Sequence, residues 1–119
     1  MTNPDRSRVV RFAKAEAAIP GPAGKHALSF LQRGTLNVKL SIGHFAPRPN
    51  LQTPHTQDEL YIIIRGRGVL LHDGKRDVFE AGDLLFVAAG TEHQFEEFSD
   101  DLAVWVVFYG PQGGEVPKA

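Results

Sequence analysis

From Thr35 onward the chain is cut into short apolar runs by turn residues at even intervals, and this rhythm limits the fold more than any other feature. Leu36, Val38, Leu40 and Ile42 alternate with Asn37, Lys39 and Ser41, the period of a half-buried strand. Further strand-like runs cover residues 55–64, 69–72, 76–79, 84–88, 93–98 and 102–109. Between them stand Arg65-Gly66-Arg67-Gly68, Asp73-Gly74, Glu80-Ala81-Gly82-Asp83, Ala89-Gly90-Thr91-Glu92 and Asp100-Asp101. Asp73-Gly74 is a strong hairpin signal, because both central positions of such a turn take positive φ. No helical periodicity follows residue 34. The expectation is an all-β antiparallel sandwich or barrel.

The first 34 residues are less regular. The stretch VVRFAKAEAAIP fits a short helix or an edge strand, and Ile19-Pro20-Gly21-Pro22-Ala23-Gly24 ends either one. The division expected is an irregular N-terminal arm over 1–34, a barrel over 35–112 and a flexible tail over 113–119. A chain of 119 residues with 42% hydrophobic content is one domain with a real core. Its 13 basic and 14 acidic residues leave a net charge of -1, which gives no basis for binding nucleic acid or an anionic membrane, so the expected partner is a small molecule. There is no cysteine, no run long enough to span a membrane and no apolar core of a secretory signal, which is consistent with a cytoplasmic protein. In the run 59–65, Glu59, Tyr61, Ile63 and Arg65 share one face and Leu60, Ile62 and Ile64 the other. Both faces are apolar, as they are in 102–109, whereas a barrel buries only one. The second face calls for cover from the N-terminal arm or from another subunit, and a homodimer is the expectation.

Within TPHTQDELYIIIRGRG, Thr53, His55, Gln57 and Glu59 alternate onto the face of Tyr61 and Ile63. An imidazole and a carboxylate converging inside a barrel begin a transition-metal site, but a third donor has to come from elsewhere. His93, at a strand edge just after the Ala89-Gly90 turn, is the best placed. Tyr61, Phe95 and Trp105 are candidates to line a substrate pocket. His44 shares the parity of Leu36 to Ile42, which makes it a spare donor facing the barrel or, the favoured reading, a core or loop-edge histidine; His72, beside a turn, belongs at the surface.

These residues carry a resemblance. His55, three residues, Glu59, six residues and Gly66 are similar to the second His, the Glu and the Gly of the first cupin motif. Gly82, five residues, Ala88-Ala89-Gly90, two residues and His93 resemble the second, with Ala88 where proline is usual and Glu97 where asparagine is usual. The motifs follow in order across one hairpin, and the resemblance spans about residues 35–109. It implies a small, type-2-like cupin, a double-stranded β-helix (jelly-roll) barrel. It also implies one divalent ion (Fe, Mn, Ni or Zn) on His55, Glu59 and His93.

Thr53 stands where the first metal-binding His of the motif would be. Gln57 would then supply a fourth donor, hold a metal-bound water or orient a ligand. The arrangement resembles that of non-haem iron oxygenases and implies a dioxygenase, isomerase or decarboxylase acting on a small organic molecule. The other reading is a non-catalytic binding or sensing module with a weakened metal site.

Overall fold

A computed structural model describes residues 6–43 and 55–117. The chain opens with a short helix α1 (Phe12–Ala17) and a 3-10 turn (Pro22–Gly24). The strands that follow are β1 (Ala27–Arg33), β2 (Leu36–Ile42), β3 (Asp58–Arg65), β4 (Arg67–His72), β5 (Lys75–Glu80), β6 (Leu84–Val87), β7 (His93–Glu96) and β8 (Ala103–Tyr109). They form two sheets, ordered β1-β2-β8-β3-β6 and β5-β4-β7, in which every pairing is antiparallel. β8 lies between β2 and β3, the crossed connectivity of a jelly roll. Tyr61, Ile63, Val87, Val104 and Val106 of the larger sheet meet Leu70, Phe79 and Phe95 of the smaller to form the core. Each strand contributes one face, as its period of two requires. At the β4–β5 turn Asp73 and Gly74 take φ of 49° and 77°, as their sequence demands.

Residues 27–33, read from sequence as part of an irregular arm, are instead β1, paired along its length with β2. A shift of register between Ser29 and Leu31 breaks the alternation, so Leu28, Phe30 and Leu31 do not spell a strand. The rest of the N-terminal segment covers the outer face of the larger sheet. Phe12 of α1 and Phe30 of β1 both meet the Trp105 ring edge-on, at 6.3 and 6.4 Å. Arg65 pairs with Glu16 and lies 5.9 Å from the Phe12 ring.

This cover reverses β2. Leu40 pairs across from Trp105 and is fully buried beneath the arm, so the apolar set of β2 faces outward. Asn37, Lys39 and Ser41 pair with Phe108, Val106 and Val104 and face the space between the sheets. The C-terminal end is also tied down: Gly113 N–H donates to Thr56 O (2.7 Å), and Glu115 N–H to Asp58 Oδ2 (2.8 Å). The segment expected to be a flexible tail thus begins with two bonds to the start of β3.

Gly66 joins β3 to β4 with φ of 91°, and a Cβ there would lie 2.6 Å from Ser99 Oγ and 2.9 Å from Leu102 Cα. Gly66→Ala is expected to destabilise the fold by about 2 kcal/mol or more, since it adds a positive-φ penalty to a clash with backbone. A lower urea midpoint checks this; an unchanged one contradicts it.

Candidate metal centre

β3 sends Glu59, Tyr61 and Ile63 inward, all nearly inaccessible to solvent. His93 opens β7 on the facing sheet and is 2% exposed. His55 precedes β3 and is the open edge of the group, with its side chain 39% exposed. Backbone bonds hold these parts in place. Gly90 N–H donates to His55 O (2.8 Å), tying the loop before His93 to the first histidine. Asp58, whose side chain points away from the centre, is 5% exposed. It accepts from Ala89 N–H (3.0 Å) as well as from Glu115.

One potential ligand atom from each of His55, Glu59 and His93 lies within 4.8 Å of the others. Glu59 Oε1 stands 3.3 Å from His93 Nε2 and 4.0 Å from His55 Nε2. His93 Nδ1 is 2.9 Å from Thr91 O, an acceptor only, so Nδ1 carries the proton and Nε2 turns toward the group. The Tyr61 hydroxyl is 3.0 Å from that Nε2 and donates to it when the ring is neutral. Glu59 Oε1 is buried with no hydrogen-bond partner among the described residues. A buried carboxylate oxygen left bare is costly, and a cation among these three donors would remove the cost. Two imidazoles and a carboxylate are also the right donor chemistry for a first-row divalent ion, so the residues fit one.

The electrostatics agree. Burial tends to lower the His93 pKa, but the Glu59 carboxylate, the Thr91 carbonyl and the Glu59 charge outweigh it and raise the value above that of a free histidine. Burial, then the charge and hydrogen bonding of Glu59, push the Tyr61 phenol far above its ordinary range, so Tyr61 stays a neutral donor.

Comparison with known proteins places the chain. The cupin domain family profile matches residues 42–109. An uncharacterized protein of Streptomyces coelicolor is 34% identical over 85 residues, which cover 71% of this chain and 80% of that one. Acireductone dioxygenase 1 of Pectobacterium atrosepticum is 40% identical over 65 residues, half of this chain but only 37% of the dioxygenase. A cupin-2 domain containing protein of Shewanella frigidimarina superposes with a TM-score of 0.60 at 14% identity, covering 83% of this chain and 92% of that one. The chain belongs to the cupin domain family.

Of the residues singled out from sequence, His55, Glu59, His93 and Tyr61 come together. The Gln57 amide nitrogen donates to Thr35 O and Gly110 O, both at 3.0 Å, which engages the nitrogen and not the oxygen expected as a donor. It thereby links the β1–β2 turn to the end of β8. Phe95 lies in the core, its ring centroid 4.9 Å from Tyr61 and 5.3 Å from Phe79. Trp105 is a correction: it sits on the outer face under Phe12 and Phe30, because β8 turns Val104, Val106 and Phe108 inward. His72 is not simply exposed but bonded to Asp77 (2.6 Å), directly across from His93 in the register of β4 and β7. Thr53 and His44 fall outside the described residues. Sequence reasoning missed Phe108, which packs 4.9 Å from the His55 ring, and the anchor Asp58. The parity of 102–109 carried a signal for Phe108; nothing local marked Asp58.

A raised His93 pKa means that the metal-free folded state holds its proton more tightly than the unfolded chain. The resulting stability is complete below the unfolded value, about 6.5, and is lost as pH rises through the higher folded value. Urea midpoints of metal-free protein are therefore expected to gain a contribution on going from pH 8 to pH 6 that Glu59→Gln removes. Identical pH dependence in the two proteins would refute the coupling.

Proposed function

We propose that this cupin binds one divalent metal ion through His55, Glu59 and His93 and acts on a small organic molecule where the two sheets open, as a dioxygenase- or isomerase-type enzyme. The observation that carries the reading is Glu59 Oε1, buried beside imidazole nitrogens with no hydrogen-bond partner among the described residues. Bound there, the ion would supply Lewis acidity toward a substrate's oxygen atoms. The protein's own residues do the rest. Thr91 fixes the His93 tautomer, and the Gly90 bond to His55 O holds the solvent-facing side of the group. Tyr61, neutral and buried, has a hydroxyl to offer an oxygen atom once His93 Nε2 is engaged. Phe108 and Phe95 limit water on the inner side. The partial match to acireductone dioxygenase 1 supports a dioxygenase more than any other named activity. A non-catalytic metabolite-binding module is the second reading, favoured by Thr53 where the motif has its first histidine. Metal binding with no oxygen uptake or isomerisation across catechols, diketones and thiols would favour it.

Metal analysis tests the first reading. Protein soaked in Fe(II), Mn(II), Ni(II) or Zn(II) is expected to retain about one ion per chain. His93→Ala and Glu59→Ala are expected to weaken retention by about 100-fold or more, since even loss of a residue that only orients a ligand costs about 10–100-fold. No retained ion in the wild type sinks the proposal.

The proposal includes a cytoplasmic homodimer. Among the described residues no helix is long and apolar enough to cross a membrane. Leu60 pairs with Phe86 and Ile62 with Leu84 across β3 and β6, on the outer face. Leu84 is 62% and Phe86 54% exposed at an edge strand, an apolar strip that supports self-association. Light scattering is expected to give twice the chain mass for the wild type and a monomer for Phe86→Glu; a monomeric wild type contradicts the dimer.

A further inference from the structure

The inner wall that β2 presents is the feature the metal centre leaves unexplained. Asn37, Lys39 and Ser41 face the space between the sheets, where a core would bury apolar groups. Ser41 is 6% exposed, and Asn37 Oδ1 is buried without a hydrogen-bond partner among the described residues. Polar groups kept on an inner face cost stability unless something engages them. Lys39 is the cation of this wall. Its ammonium lies 5.8 Å from the centre of the Phe108 ring and makes no ion pair with a described residue. The His55 ring packs 4.9 Å from the same phenyl group, edge to face. Phe108 is therefore the spacer between the His55 ring and a half-buried positive charge that has no ion-pair partner among the described residues.

The register gives the span. Asn37, Phe108 and Glu59 form one row across β2, β8 and β3, with Lys39 in the next row on the same face. Strand spacing of about 4.8 Å puts β2 and β3 about 10 Å apart, the length of a small organic acid held at both ends. The cation–π contact with Phe108 orients Lys39 without supplying a counter-charge.

We infer that Lys39 is a specificity residue, and that the molecule bound at the metal centre carries a carboxylate which Lys39 receives while its other end lies at His55, Glu59 and His93. The inference rests on the metal reading above and narrows its substrate class to organic acids with a carboxylate one ring-width from the metal-binding oxygens. A lysine that only covers Phe108 with its aliphatic stem would make no such selection.

Matched probes test it. Ni(II)-loaded protein is titrated with 2-oxoglutarate and 2-oxoadipate, and with 2-oxopentanoate and 2-oxohexanoate, which share the chelating head but lack the distal carboxylate. In the wild type at least one diacid is expected to bind about tenfold or more tightly than its monoacid counterpart, the scale of a charge-assisted contact. Lys39→Met is expected to abolish that preference, leaving Ni(II) affinity and binding of the monoacids unchanged, and Lys39→Arg to restore much of it. No preference at either length, or a preference that survives Lys39→Met, overturns the inference. A wild type that takes up no Ni(II) before any acid is added overturns the metal reading, and this inference with it. Metal uptake without carboxylate selection overturns this inference alone.

Discussion

A buried carboxylate with an oxygen that has no hydrogen-bond partner among the described residues is the constraint around which the rest of this structure is arranged. Glu59 is 2% exposed, Oε1 has no hydrogen-bond partner, and His93 Nε2 faces it at 3.3 Å. Such a group persists only where the surrounding fold is stable enough to hold it and a positive charge can reach it. The proton that His93 holds unusually well is one such charge, and a divalent ion is the other.

The fold supplies the support from two directions. The facing sheets bring His93 on β7 to Glu59 on β3, residues distant in sequence, while the loop before β7 bonds to His55 through Gly90. Asp58, one residue before Glu59 and pointing the other way, receives amides from that loop and from the C-terminal segment. Alternation thus turns one short stretch into two devices, with Glu59 serving the centre and Asp58 anchoring the strand that carries it.

The N-terminal segment shapes the site without touching it. By covering Trp105 and Leu40 on the outer face, it lets β2 bury its apolar side outward and turn Asn37, Lys39 and Ser41 inward. The inner face is therefore polar on the β2 side, and the cation of that wall stands across Phe108 from His55. Leu84 and Phe86 remain uncovered at the opposite edge of the same sheet.

Much of this was legible in the residues. The strand rhythm after Thr35, the Asp73-Gly74 turn, the strained Gly66 and the shared face of His55 and Glu59 follow from local chemistry: alternation, positive φ and spacing. The partnership with His93 was legible through its spacing from Gly82 and Gly90. β1 was not, because a bulge at Phe30 breaks its alternation. Nor could a strand with one apolar and one polar side declare which would face inward. Leu40 and Lys39 are adjacent, and their directions depend on whether a helix dozens of residues away covers the outer sheet face. The same ignorance misplaced Trp105 and hid the bonds of the Gln57 amide nitrogen to Thr35 and Gly110. The sequence alone determined which residues share a face, since that is a property of neighbouring backbone. Only the tertiary structure decided which face became the site, since that depends on burial by distant segments.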